Sequence, residues 1–334
     1  MTAAVTSAPG AISQFVNMVL GIKPIFKVAK HQARAMMVKR AATIGVDWPG
    51  EVAALRSRHP HPPSPITLSA VANIPLHPDW DAELAQLRND NLVYPTYYIS
   101  PFHAYEEGNM GWFPALEVDV ASKTVHAKIW PEAGAQGDAQ LRQSYHDVLK
   151  TVLPTAPVDI LDVGCSAGHS TMGLRSLYPQ SHCTGVELSP YFLTVAQYRE
   201  RQLVQLSGSA PVLHPIRWVH ALGEDTKLES ASFDLTSICL VMHELPASAT
   251  KAMLGEMRRL LRPGGHVAIM DMNPKSEIHA KMPPYVLTLL KSTEPFLDEY
   301  FGLDLEQVIY DAGFTTPTVK CNSPRHRTLI AQVR

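Results

Sequence analysis

An α/β fold is predicted, with a mostly parallel sheet covered by helices on both faces and a mainly helical cap at the N-terminus. Three observations predict it. From residue 141 onward, short apolar runs alternate with helical stretches, the pattern of strands buried on both faces. A glycine loop, Gly164 to Gly168, joins the first such run to a helix. The preceding residues hold no comparable alternation, only a basic helical stretch, a proline-rich segment and an aromatic block.

Taken in order, residues 11–44 read as helical, with a break at Pro24. Beyond it Phe26, Ala29, Ala33 and Met36 or Met37 share one face, beside a basic stripe of Lys27, Lys30 and Arg34. Residues 1–46 carry no Asp or Glu, yet hold Lys23, Lys27, Lys30, Arg34, Lys39 and Arg40. Such a helix packs on the main domain or on a second subunit as a homodimer contact, or lies on an anionic membrane surface. Residues 58–80 contain six prolines and read as a linker that sustains no helix. His59, His61 and His77 stand beside those prolines at no recognised metal-ligand spacing, so no metal is expected. Residues 94–113, YPTYYISPFHAYEEGNMGWF, are dense enough in aromatics to form a cap core or a pocket wall.

A helix at about 138–152 leads into VDILDVG, too short for a helix and hence a buried strand. HCTGVEL, IRWVHAL, DLTSICLV and HVAIMDM continue the strand series, separated by helical stretches near 169–177, 190–206 and 249–261. The end reads as a helix stopped at Gly313 and a closing antiparallel pair, TPTVKCN and RTLIAQVR, which makes seven strands. The chain thus divides into a helical segment (1–57), a linker (58–92), an aromatic cap with lead-in helix (93–150) and the sheet domain (151–334).

Composition narrows the function classes. With 46% hydrophobic residues, 18% charged residues and a net charge of -2, the chain offers no whole-molecule case for nucleic-acid binding. Cys165, Cys183, Cys239 and Cys321 are scattered, which predicts free thiols in a reducing compartment. No apolar run is long enough to span a bilayer, and the start, MTAAVTSAPG, lacks the basic segment of a secretory signal. A cytoplasmic location is expected, or the plastid stroma or a membrane surface in a photosynthetic host.

The loop itself admits two readings. Gly164-Cys165-Ser166-Ala167-Gly168 fits the G-x-S-x-G nucleophile elbow of a hydrolase, for which Asp271 and His326 follow in the required order. The oxyanion-loop motif and the early strands of that fold are missing upstream, however. The cofactor reading asks for more and finds it. Gly164 and Gly168 permit a tight turn with the next helix N-terminus facing a ligand, and Glu187, 25 residues after Asp162, ends the following strand where a carboxylate can accept ribose hydroxyls. The spacing differs from G-x-G-x-x-G, so the cofactor is not expected to be a dinucleotide.

On these residues the chain resembles the class I S-adenosylmethionine-dependent methyltransferases. Asp162 to Gly168 is similar to their first motif, with Ser166 in place of a glycine, and Val186-Glu187-Leu188-Ser189 to their ribose-binding motif. Gly223 to Leu228 with Ser232 to Leu235 resembles the adenine-side acidic loop and the start of the fourth strand. Leu240 to Leu245 resembles that strand's end, and Leu260 to Gly265 the turn into the fifth. The branch most resembled contains ubiquinone/menaquinone-biosynthesis-type small-molecule methyltransferases. The N-terminal block with YPTYYISPFHAYEEGN is similar to methyltransferase-like proteins of cyanobacteria and plastids.

The resemblance implies a Rossmann-like seven-stranded sheet and S-adenosylmethionine as cofactor, leaving S-adenosylhomocysteine. It implies cofactor contacts from Asp162, Gly164, Cys165, Ser166, Gly168, Glu187, Leu188, Glu224, Asp225 and Leu240. It also implies in-line methyl transfer to a small, hydrophobic or aromatic acceptor. His243, at the end of the fourth strand, and His103 in the aromatic block are the candidate bases. Tyr97, Tyr98 and Tyr105 from that block, with Met282 and Tyr285 from the helical stretch 278–301, are candidate cap or acceptor residues. His243-Glu244 begins like H-E-x-x-H but lacks the second histidine, which excludes that zinc motif. Two other functions fit the same motifs: a cofactor-binding regulator or scaffold without turnover, and an RNA methyltransferase, for which the basic stripe is the sole support.

Overall fold

A computed structural model describes residues 23–59, 66–103, 105–206 and 214–334. Seven strands form one sheet: β1 (Asp159–Val163), β2 (His182–Glu187), β3 (Arg217–His220), β4 (Phe233–Cys239), β5 (Leu261–Met272), β6 (Thr318–Cys321) and β7 (His326–Gln332). Their order is β3-β2-β1-β4-β5-β7-β6. The first five run parallel, and β7 lies antiparallel between β5 and β6. Chain order reverses between β1 and β4, so a crevice opens beyond their carboxyl ends.

Thirteen α-helices accompany this sheet among the described residues. Six belong to the N-terminal part: α1 (Lys23–Thr43), α2 (Trp48–Ser57), α3 (Leu68–Val71), α4 (Asp79–Leu87), α5 (Trp112–His126) and α6 (Gly137–Val152). The others are α7 (His169–Leu177), α8 (Pro190–Leu206), α9 (Ala247–Leu260), α10 (Glu277–Ala280), α11 (Pro284–Thr293), α12 (Leu297–Gly302) and α13 (Leu305–Asp311). Strand pleating sends alternate residues to opposite faces. Ile160, Leu235 and Ala268 meet Leu141, Tyr145 and Leu149 of α6 in one buried cluster. Leu161, Val163, Ile238 and Ile269 meet Met253, Leu254 and Met257 of α9 in another. With both faces covered, the inner strands β1, β2, β4, β5 and β7 are buried along most of their length, whereas the edge strands β3 and β6 are not.

One local expectation is revised and another lies partly outside the described residues. Pro24 sits in the first turn of α1, where a missing N–H costs nothing; residues 11–22, on its N-terminal side, and His61 are not among the described residues. The proline-rich stretch also holds a helical turn, α3, because its prolines leave residues 66–74 clear. On α1, Met37 packs inward while Met36 is exposed, and Arg34 and Arg40 turn toward the protein. No described helix is long and apolar enough to cross a membrane.

The cap shares its core with the sheet domain. Trp48, Val52, Trp80, Leu116 and Val120 pack with Ala167 of the glycine loop and with Phe192 and Val195 of α8. Polar links reinforce this packing. The Arg58 guanidinium lies 3.8 Å over the Trp80 ring and 4.4 Å over Tyr198 of α8. Arg34 donates from one nitrogen to both carboxylate oxygens of Glu117, at 2.5 and 2.6 Å, and the Glu117 side chain is only 1% exposed.

Removing one partner of a buried ion pair leaves the other charge desolvated. Arg34→Ala should therefore cost about 2–4 kcal/mol of stability by denaturant unfolding. Lys281→Ala, which breaks an exposed pair with Glu277, should cost less than about 1 kcal/mol. Equal effects of the two would show that Arg34 does not anchor the cap.

Candidate active site

The carboxyl ends of β1, β2 and β4 gather the predicted site. After β1 the chain turns through Gly164 (φ +69°), Ser166 (φ +50°) and Gly168 (φ +85°). Positive φ is strained for a serine, so the loop must be held from outside. Glu187 holds it: the Ser166 main-chain N–H donates to Glu187 Oε2 at 2.9 Å. The glycines are needed sterically as well. A Cβ on Gly164 would stand 2.8 Å from the Val241 side chain, and one on Gly168 2.8 Å from Trp218. Cys165 is buried, its sulfur lying against Gly185 of β2, where a Cβ would be 2.9 Å away; that burial pushes its thiol pKa well up.

Asp162, buried at the end of β1, accepts hydroxyl protons from Ser170 and Thr171 of α7 at 2.6 Å each, both on Oδ2. Its Oδ1 is buried with no partner. Burial raises its pKa to about 6, against the pull of those hydroxyls. Glu187 is buried too, and Oε1 accepts from the Ser189 N–H at 2.8 Å and from the Tyr98 hydroxyl at 2.8 Å. Its pKa is raised, burial outweighing these donors. Leu188 is buried, and its carbonyl accepts from His220 Nε2 at 2.9 Å. Leu240, past β4, adopts φ +61° with its N–H on the Met270 carbonyl.

The aromatic block reaches this crevice through two adjacent residues. Tyr98 sits on Glu187, and the Tyr97 hydroxyl donates to Glu224. Tyr97 also meets Phe296 edge-on at 6.2 Å. Asp225 is turned outward, paired with Lys227 at 2.5 Å and about half exposed. Tyr105 is not brought to the crevice: its hydroxyl bonds to Glu117 beneath the cap. Met282 is half-buried after α10, and the Tyr285 side chain lies outside the described ones.

His243 stands just beyond β4, with Nδ1 2.7 Å from Asp271 Oδ1 near the end of β5. The His243 and Met272 N–H groups also donate to that carboxylate, at 3.3 and 2.6 Å. Burial alone would lower the imidazole pKa, but Asp271, followed by Glu294 and Glu244, lifts it to about 10. Asp271 is therefore committed to His243, and His326 pairs instead with Ser323. The hydrolase triad is not assembled, and Ser166 remains a loop residue. His103 lies apart from this pair, between Glu244 and Glu294.

Several contributors were not expected. Glu294 follows α11 and shows no local signal in the sequence, whereas Glu244 follows His243 directly. Asp119 of α5 bonds both His169, which opens α7, and Arg199 of α8. These two partners outweigh burial and hold Asp119 well below the usual carboxylate range. The cap is thus locked to the helix that follows the glycine loop.

These residues can be tested against a nucleoside-bearing cofactor. A buried, unpartnered carboxylate oxygen on Asp162 lies at the foot of a loop whose glycines admit no side chain. A second carboxylate, Glu187, already binds a hydroxyl proton at the tip of the next strand. Both features suit a ligand with an ammonium group and vicinal hydroxyls.

Comparison with known proteins agrees. Residues 161–269 match a family model described as a methyltransferase domain. A malonyl-[acyl-carrier protein] O-methyltransferase of Laribacter hongkongensis is 28% identical over 169 residues, 49% of this chain and 53% of that protein. A phthiotriol/phenolphthiotriol dimycocerosates methyltransferase of Mycobacterium leprae is 32% identical over 120 residues, 36% of this chain and 39% of that one. An uncharacterized methyltransferase of Synechocystis is 27% identical over 158 residues, 47% and 66% of the two chains. The chain therefore spans 39% to 66% of the length of these relatives. Over residues 161–269 the chain thus carries a methyltransferase domain, and the relatives matched are themselves named as methyltransferases.

Proposed function

We propose that the chain methylates a small, hydrophobic or aromatic acceptor with S-adenosylmethionine as donor. The observation that carries this reading is the glycine loop tied by Ser166 to Glu187, inside the matched segment. When bound, the cofactor supplies a methyl group on a sulfonium, which an acceptor lone pair displaces in line. In this reading Asp162, whose buried Oδ1 makes no hydrogen bond, receives the cofactor's ammonium, and Glu187 its ribose hydroxyls. Glu224, on the loop after β3, borders the same end of the crevice.

On the acceptor side His243 is the candidate proton carrier. Asp271 fixes the ring through Nδ1, so exchange with an acceptor O–H or N–H falls to Nε2, which can accept a proton only in the fraction of molecules whose ring is neutral, a fraction that grows as pH rises toward about 10. Tyr97 and Phe296, edge to face at 6.2 Å, contribute aromatic surface to the crevice, which supports an acceptor of the same character.

Isothermal titration with S-adenosylhomocysteine should show one site on the folded chain, and no binding would overturn the reading. Glu187→Gln should weaken that binding about 10- to 100-fold, the range for losing charge-assisted hydrogen bonds; undiminished affinity would remove Glu187 from the cofactor site. Tyr98→Phe tests whether the tyrosine competes with the ribose. Affinity should rise several-fold, because one fewer hydrogen bond must be exchanged, whereas a loss would mean that Tyr98 stays on Glu187 in the complex. His243→Gln should cut transfer of labelled methyl groups into a small-metabolite extract by about 10²–10⁴-fold with cofactor affinity retained. Full transfer by that variant would exclude His243 as the proton carrier.

A further inference from the structure

Beyond the cofactor crevice, three side chains from distant parts of the chain converge on one point. His103 comes from the aromatic loop, Glu244 from the turn after His243, and Glu294 from the residue that ends α11. His103 Nε2 lies 3.0 Å from Glu294 Oε1 and 3.4 Å from Glu244 Oε1. One nitrogen and two carboxylate oxygens, one from each residue, lie within 4.8 Å of one another. The backbone is set for this meeting: His103 adopts φ +47°, and its N–H donates to the Thr293 carbonyl beside Glu294.

A protonated imidazole does not satisfy this arrangement. Its single Nε2–H faces two carboxylates, and Glu294 carries a further oxygen, Oε2, that is buried with no hydrogen-bond partner. Glu294 is only 7% exposed, so water does not readily make up the deficit. An ion bound by bonds of about 2.1 Å spaces its ligands about 3.0 Å apart along an octahedral edge and about 3.4 Å along a tetrahedral one. Those are the spacings seen from His103 Nε2 to the two carboxylates. An imidazole with two carboxylates suits a first-row divalent ion such as Mn, Fe, Co or Zn better than soft Cu(I), which prefers sulfur.

We propose that His103, Glu244 and Glu294 form a site for one first-row divalent cation, which ties the aromatic loop to the sheet domain. The site uses none of the residues assigned to the cofactor and stands whether or not the methyltransferase reading does. Three protein ligands leave the remaining coordination positions to water or another ligand.

The test is titration of the full-length, chelator-treated chain with MnCl2 and separately with ZnCl2, by calorimetry and, for manganese, by electron paramagnetic resonance. One ion per chain should bind, and both Glu294→Gln and His103→Ala should weaken binding at least about tenfold. No binding of either ion up to millimolar concentration would overturn the proposal, as would equal binding by both variants. Circular dichroism and melting temperature report whether each variant is folded. His103, partly exposed in a loop, decides the outcome should the Glu294 variant unfold. Titration of the parent chain with S-adenosylhomocysteine separates the two readings, since failure there with metal binding intact removes the cofactor assignment alone.

Discussion

The fold of the site hangs on one buried carboxylate. Glu187 ends β2, and its two oxygens collect the Ser166 N–H of the glycine loop, the Ser189 N–H of its own turn and the Tyr98 hydroxyl of the cap. Each of those three segments would otherwise carry a donor with nowhere to go. Ser166, held at positive φ, depends on it most. The carboxylate in turn is buried at a cost that its pKa registers. The conformation of the loop, the start of α8 and the seating of the aromatic block are therefore one linked structure.

That linkage explains why the N-terminal residues do not form a detachable module. Ala167 stands within the glycine loop yet packs in the same cluster as Trp48, Trp80 and Leu116. Asp119 reaches from α5 to His169 at the first turn of α7 and to Arg199 on α8. Ser189 also donates from its hydroxyl to the Asn109 carbonyl, at 2.6 Å. The cap buttresses the loop from beneath while its tyrosines approach from the open side. A change deep in the cap, at Arg34 or Glu117, is then felt at the crevice through packing, with no contact to a ligand.

What could be read from the sequence was local. The strands, the helices between them and the glycine loop announce themselves in periodicity and spacing, because their cause lies within a few residues. Ser166 was legible as a loop residue because the oxyanion-loop motif and the early strands of the hydrolase fold are missing upstream, although Asp271 and His326 follow it in the required order. Long-range pairings were not. Arg34 and Glu117 stand 83 positions apart, and His103 and Glu294 stand 191 apart, so neither leaves a pattern in any window. Asp271 shows the same limit. As a lone acid near the end of a strand it could be drafted into a triad, and only the fold shows it bound to His243. Tyr105 shared an aromatic block with Tyr97 and Tyr98, but its burial against Glu117 is a matter of tertiary packing.

Consecutive side chains usually diverge, yet Tyr97 and Tyr98 meet two carboxylates on different loops of the same crevice. A turn closed by the Tyr98 N–H on the Pro95 carbonyl, at 3.0 Å, brings both rings to bear. The two hydrogen bonds are consequently not independent. A ligand that displaced Tyr98 from Glu187 would act on the same turn that carries Tyr97 on Glu224. Five residues further on, the same loop is fixed again by His103, between Glu244 and Glu294. The loop thus spans both sides of the crevice and is anchored at each by carboxylates. A short stretch of backbone therefore joins the Glu187 and Glu224 end to the Glu244 and Glu294 end, and its length limits how far the two can move apart.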